Sequence, residues 1–398
     1  MHPANRVAPF SVVGFLNQRS LFEVEMPEHF SRLTLYCPIE RAENPARLAI
    51  NESTMAWAAK QGIPSDRERR ERFSTMRPGA LAAGVVPHGK EEGLAAFADY
   101  HTWLFAFDDD YCDEAENADM DVTEWAAFLA RLHRVAETGD IGLLPDNAYA
   151  WALRDVASRI SACATPTQFC DWADAVRSYF AALVWERSRR RNGEKPQRLD
   201  DYLLLRLRNG AMQSSIALLD VANGYVLPQE LRDTPEVRAL VEMCAVLVSL
   251  DNDIFSHHKE SQRGSLEVNL LDVLAAERQT TTAESLHEAV VLRNTVMRRF
   301  VELSERTVTP EVGAELRRFV ESLGRWVRAN LDFSLVTTRY AGPVRERLVL
   351  SPHAPDPRPT EEASALDSAV IGWWWRTPDA APAGERRRPS RRADPPTW

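Results

Sequence analysis

Two clusters of oxygen-bearing side chains could do chemistry in this sequence. The first is HTWLFAFDDDYCDE, residues 101–114, where an aromatic and aliphatic run ends in Asp108, Asp109, Asp110, Asp113 and Glu114. Carboxylates this dense repel one another, and more so beside a buried helix face. A hard divalent cation relieves the repulsion, because Mg²⁺ prefers carboxylate oxygens and keeps several waters. Asp109 and Asp113 stand at i and i+4 and share a helix face, whereas Asp108 points about 100° away from Asp109 on an ideal helix. Spacing therefore leaves open which acids would hold a metal. A solvated acidic helix end would show the same run, but Trp103, Phe105 and Phe107 argue for burial beside it.

The second cluster is LDNDIFSHHKE, residues 250–260. Asn252, Ser256 and Glu260 fall at i, i+4 and i+8, within an arc of about 80° on a helix. They offer an amide oxygen, a hydroxyl and a carboxylate. A single charge in that set would leave a bound cation electrophilic toward phosphate. Lys259 adds a point charge suited to phosphate. His257 and His258 are adjacent, so they diverge by about 100° and do not share a metal easily.

Basic residues stand at two distant places. In YLLLRLRNGAM, residues 202–212, an apolar helix carries Arg206 and is then interrupted by Asn209 and Gly210. Such a pair inside a helical run costs about 1 kcal/mol relative to alanine, and the break exposes backbone or permits close approach. In TRYAGP, residues 338–343, Arg339 and Tyr340 close the last long helical run. A guanidinium and a phenol are good donors to a phosphate oxygen.

The elements that must position these groups read as helices. Apolar residues recur at helical spacing in segments 124–137, 147–162, 169–190, 235–250, 282–304 and 310–340. Alternating strand patterns are scarce. From 342 to 398 the chain is rich in Pro, Arg, Ala and Asp and reads as a disordered tail, with Trp373, Trp374 and Trp375 an odd inclusion. The whole chain has 398 residues, 44% apolar and 27% charged, near ordinary globular values. Its net charge of −10 disfavours a nucleic-acid partner. No apolar stretch is long enough to span a membrane. Five scattered cysteines without a CxxC pair point to reduced thiols and a cytoplasmic location.

Order and spacing of the four features resemble bacterial class I terpene cyclases across residues 10–341. Asp108–Asp113 looks like their aspartate-rich motif, Asn252–Glu260 is similar to their NSE metal motif, and Arg339-Tyr340 matches their terminal RY pair. Arg206, 46 positions before Asn252, looks like their diphosphate sensor, followed by Asn209 and Gly210 at the linker and effector positions. The resemblance implies an all-α fold: a single antiparallel helical bundle, residues 1–341, around a deep apolar active-site pocket. It implies three Mg²⁺ ions, with Asp108, Asp113 and Asp109 on one side and Asn252, Ser256 and Glu260 on the other. Arg206, Lys259, Arg339 and Tyr340 would bind the diphosphate of a prenyl diphosphate substrate. Phe105 and Phe333 would face the carbocation through their π clouds. Departures are the extra acid Asp110, Asn209 where Asp or Thr is frequent, and Phe333 where many relatives have tryptophan.

A C15 substrate and a sesquiterpene product are expected, with C20 second and C10 third. A homodimer would be an ordinary assembly. Two other readings compete. A prenyl diphosphate synthase would carry a second aspartate-rich motif in place of Asn252–Glu260. A non-catalytic helical binding protein would not need Arg206 and Arg339 to converge on the acids.

Overall fold

The computed structural model describes residues 32–112, 120–192, 198–263, 268–340, 342–355 and 368–377. The periodic segments are helices, and local capping sets many of their ends. Helices α1 (Arg47–Gln61), α2 (Arg67–Ser74) and α3 (Pro78–Val85) lead into α4 (Glu91–Phe107). Then come α5 (Val122–Thr138), α6 (Ala148–Cys163) and α7 (Pro166–Arg191). Asp121 with Glu124 and Thr165 with Gln168 form capping boxes that start α5 and α7. Pro166 sits in the first turn of α7, where a missing N–H costs nothing. Helices α8 (Leu199–Asn209) and α9 (Met212–Ile216) follow. The chain then forms α10 (Pro235–Arg263), α11 (Leu270–Arg278), α12 (Thr282–Thr307) and α13 (Ala314–Val336).

Helix α4 is the central rod. All of Gly93–Phe107 except Ala95 and Phe105 is buried, Asp99, His101 and Thr102 included, as befits a helix enclosed by others. It packs on α1, α3 and α6, while α10 packs on α12 and α13 and α5 lies along α7. Close approach is secured at Gly79 of α3, where a Cβ would lie 2.5 Å from the Asn51 Cα on α1. Inside the bundle Asp251 of α10 pairs with Arg293 of α12, both side chains wholly buried, at 2.8 Å. The same guanidinium donates to the Tyr36 carbonyl, so neither charge is left unpaired.

Two expectations need correction. The last long helix stops at Val336, and Thr338–Tyr340 form a separate 3₁₀ turn. The segment after 341 is not wholly a disordered tail. Leu348–Ser351 (β2) pairs in parallel with Leu33–Tyr36 (β1), Leu33 opposite Leu348. Gly372–Arg376 forms a second 3₁₀ turn. In it Trp374 is fully buried, and the indoles of Trp373 and Trp374 donate to the Glu242 carboxylate at 3.2 and 3.0 Å. Arg299 donates to the Trp374 carbonyl at 2.9 Å. The composition of the segment hides these anchors, because both depend on residues far away in sequence. No helix among the described residues is long and apolar enough to cross a membrane.

Candidate active site

All four sequence features meet at one cavity. It is lined at its mouth by Asp108, Arg206, Asn252, Glu260, Arg339 and Tyr340, with Asn209, Gly210, Ser256 and Lys259 also on its wall. Direct hydrogen bonds join them. Arg206 Nη2 donates to Asn252 Oδ1 at 3.0 Å, and Asn252 Nδ2 donates to the Tyr340 hydroxyl oxygen at 2.5 Å. Arg339 Nη2 donates to Asp108 Oδ2 at 2.7 Å, and its Nη1 donates to Asp109 Oδ1. Residues 230 or more positions apart are thereby brought onto one guanidinium.

The acidic run leaves the α-helical path. Asp108–Cys112 is a π-helical turn, a distortion frequent at functional sites. It lets Asp108 and Asp109 reach the same arginine, although ideal α-helical geometry would hold them about 100° apart. Asp110 turns the other way. It is buried and accepts from Ser65 N at 2.9 Å, Arg69 Nη1 at 3.1 Å and the Tyr149 hydroxyl at 2.7 Å. The extra acid is thus committed to a structural network behind the cavity. Asp113 lies outside the described residues.

Asn252, Ser256 and Glu260 lie on one stripe of α10, as their spacing predicts. Glu260 accepts from Asn269 Nδ2 at 2.8 Å. Burial raises its pKa, and Asp253 adds to the rise, while Ser256, Asn269 and Arg206 oppose it. Burial also raises the pKa of Tyr340, to about 12, so its phenol stays a neutral donor. Among the described residues, Ser256 Oγ and Arg206 Nε are buried without a well-formed hydrogen bond. Polar atoms left so at a cavity wall are costly unless a ligand uses them. The oxygens on the two sides, two carboxylates against an amide, a hydroxyl and a carboxylate, form a hard donor set that fits Mg²⁺.

Arg206 is held by more than the sequence suggested. It pairs with the buried Asp253, which also accepts from the Tyr202 hydroxyl at 2.6 Å and Leu270 N at 2.7 Å. Burial alone would lower the pKa of Arg206, but Asp253, Tyr202, Glu186 and Glu260 raise it, so it remains a cation. Helix α8 ends at Asn209, and Ala211 adopts φ 55° before α9 begins. A positive φ at a residue bearing a Cβ is uncommon and such strain gathers at working sites. Asn209 Nδ2 donates to Glu186 Oε2 at 3.1 Å, tying the break to α7.

The apolar wall departs from expectation at one position. Phe105 lines the cavity, and the Arg339 guanidinium carbon stands 5.6 Å from its ring centroid. Phe333 does not line it; it stacks behind Phe105 at 5.7 Å. Trp326, two turns earlier on α13, is the lining aromatic instead. Sequence reasoning also missed Glu186, Arg187 and Arg190 on α7. Arg187 donates to the Tyr111 carbonyl at 2.8 Å and Arg190 to the Cys112 carbonyl at 3.0 Å, fixing the end of the acidic turn. The basic run at 187–191 was their only signal. Also missed was His101, on the cavity wall. His257 contacts Asp272 at 3.1 Å and His258 contacts Gln262 at 3.0 Å, so the two histidines engage separate partners.

The family description "Terpene synthase family 2, C-terminal metal binding" matches residues 99–299. The chain is 57% identical over 357 residues to a (+)-T-muurolol synthase of Streptomyces clavuligerus that cyclizes (2E,6E)-farnesyl diphosphate, covering 90% of this chain and 85% of that one. It is 33% identical to the bonnadiene synthase of Allokutzneria albata, covering 90% of this chain and 100% of the relative. Among solved structures, the SVS_A2 protein from ancestral sequence reconstruction aligns with a TM-score of 0.73 at 29% identity, over 86% of this chain and 98% of the other. The helical bundle is the class I terpenoid synthase fold, and the chain belongs to the terpene synthase family.

Proposed function

We propose that this protein is an Mg²⁺-dependent cyclase that ionises farnesyl diphosphate and closes the cation to a muurolol-type sesquiterpene alcohol. The hydrogen-bonded chain Arg206–Asn252–Tyr340, together with Arg339 on Asp108 and Asp109, carries the catalytic part of this reading. Identity of 57% to a farnesyl diphosphate cyclase along most of both chains supports the choice of substrate and product.

Asp108 and Asp109, with Asp113, would hold Mg²⁺ on one side, and Asn252, Ser256 and Glu260 on the other, three ions in all. When bound, the metal supplies Lewis-acid neutralisation of the diphosphate leaving group. The chain's own work surrounds that step. Arg206, Lys259, Arg339 and Tyr340 donate to diphosphate oxygens and so meet charge as it develops. Asn209 and Gly210 shape the break that carries Arg206 toward the substrate. Phe105 and Trp326 present π faces to the hydrocarbon cation, with Phe333 bracing Phe105. Closure of the mouth would exclude bulk water. Geranylgeranyl diphosphate is the runner-up substrate.

The test is incubation of purified protein with Mg²⁺ and, separately, geranyl, farnesyl and geranylgeranyl diphosphates, followed by GC–MS of an extract. A cyclic C15 alcohol from farnesyl diphosphate alone, lost with EDTA, is expected. Elongated diphosphates on addition of isopentenyl diphosphate would instead mark a synthase.

A further inference from the structure

The acidic mouth accounts for ionisation but leaves the end of the reaction without a proton acceptor. A cation that finishes as an alcohol must capture water, and the protonated alcohol so formed must lose a proton. The cavity wall below the mouth offers one basic nitrogen. His101 of α4 is buried beside Phe97, Tyr100 and Trp326, whose ring centroids lie 4.2, 5.7 and 5.4 Å from its own. Both His101 and Ser215 of α9 line the cavity.

The hydrogen bonds around this imidazole fix its tautomer. Nδ1 lies 2.7 Å from the Phe97 carbonyl oxygen, which can only accept, so Nδ1 carries the hydrogen. Nε2 lies 2.9 Å from Ser215 Oγ and holds the lone pair. Ser215 Oγ also lies 3.1 Å from the Ala211 carbonyl oxygen. A hydroxyl has one hydrogen and rotates to suit. With the imidazole neutral, that hydrogen points at Nε2. With Nε2 protonated, it turns to the Ala211 carbonyl, and the new N–H donates to Oγ. Every polar group stays paired in both forms, and only a hydroxyl rotates. Burial holds the pKa of His101 down to about 4, against a small opposing effect of the Phe97 carbonyl. It is therefore neutral before the reaction, and a protonated alcohol is acid enough to protonate it all the same.

We propose that His101, backed by Ser215, accepts the proton released when water captures the cyclised cation. This rests on the function proposed above. A water oxygen forms the C–O bond to the cationic carbon with one of its lone pairs. One O–H bond of that water then breaks, its electron pair staying on oxygen, and the proton goes to His101 Nε2, directly or through the Ser215 hydroxyl. The products are a neutral alcohol and an imidazolium, and the proton returns to solvent when the mouth opens.

The experiment uses the full chain with Mg²⁺ and farnesyl diphosphate in H₂¹⁸O, comparing wild type with His101→Gln, His101→Phe and Ser215→Ala. Thermal unfolding checks each variant. The alcohol of the wild type should carry ¹⁸O. In both His101 variants the alcohol share of total product should fall at least about tenfold in favour of hydrocarbons, the scale of a lost general base. Ser215→Ala should give a smaller fall. A merely structural role would reduce all products together and leave their ratio alone. An alcohol share within about twofold of wild type in His101→Gln overturns the assignment, and so does an unlabelled wild-type alcohol. Folded wild type that yields no cyclic product at all removes the cyclase reading itself, a result distinct from either.

Discussion

A single methyl group at Gly210 tests whether the break after α8 is a working part. Gly210 has φ −80° and ψ 6°, a conformation open to alanine, so backbone strain is not at issue. The added Cβ would lie 3.0 Å from Ser249 Oγ, 3.6 Å from the Arg206 carbonyl oxygen and 3.9 Å from Met212 Cγ. Ordinary contact begins near 3.4 Å, so the break or Ser249 must yield by roughly 0.4 Å, an overpacking cost of about 1 kcal/mol. Restriction of the unfolded chain returns about 0.4–1 kcal/mol. Stability in urea should thus change by less than about 1 kcal/mol. Turnover is more sensitive, because the displaced backbone carries Arg206; a fall of about 10- to 100-fold in kcat/KM is expected. Among the described residues Ser249 Oγ has no hydrogen-bond partner, so Ser249→Ala orphans none of them, and adding it to Gly210→Ala should restore most of the loss. Diphosphate release measures the rate. Wild-type turnover in Gly210→Ala, or no recovery in the double variant, would refute the reasoning.

Four further outcomes follow from the geometry. Asn252→Ala should cut turnover by at least about 100-fold and raise the Mg²⁺ concentration needed, whereas Asp110→Ala should cost about 3 kcal/mol in urea unfolding with the Mg²⁺ requirement unmoved. His101 is held near pKa 4 when folded against an ordinary value of 6.5; its contribution, about 3 kcal/mol, is full above pH 6.5 and lost as pH falls toward 4, so His101→Gln should flatten the wild-type decline of urea midpoints over that window. Trp374→Ala should destabilise by about 3–5 kcal/mol, and an unchanged thermal midpoint would contradict the anchoring of that segment.

How much was legible in the sequence follows from what each feature depends on. Asn252, Ser256 and Glu260 were read correctly as one stripe because i+4 spacing on a regular helix fixes a face. Asp108 and Asp109 were not, because the π turn that aligns them is a departure from that regularity. Asp110 read only as an extra acid beside the candidate ligands; its partners Ser65, Arg69 and Tyr149 come from other elements. Phe333, expected at the cavity, and Trp326, which lines it, are a similar case. Seven positions apart, they share one face of α13, but lie about 10 Å apart along its axis. Periodicity reports the face and not the depth. The pairing of Leu33 with Leu348 joins short segments near the two ends of the described chain, where neither shows a strand pattern long enough to stand out.

The partners of the two site arginines explain why the acids paired with them should have different tasks. Diphosphate binding as proposed requires each arginine to exchange carboxylate contacts for phosphate oxygens. At Asp253 the exchange leaves a buried carboxylate still held by the Tyr202 hydroxyl and Leu270 N. Two donors remain, so the loss of one is tolerable and the group can serve as a fixed anchor. Burial raises the pKa of Asp253, Arg206 being the foremost opposing influence, so departure of Arg206 would favour the neutral acid there. Asp108 and Asp109 differ in kind. Their side chains are 40% and 24% exposed, and water or a cation can reach them as Arg339 turns away. On the proposed reading, the rearrangement that frees a guanidinium for phosphate also uncovers Asp108 and Asp109 for Mg²⁺, while Asp253 stays behind as scaffold. Exposure, more than position within an acidic run, sorts the ligands from the anchors.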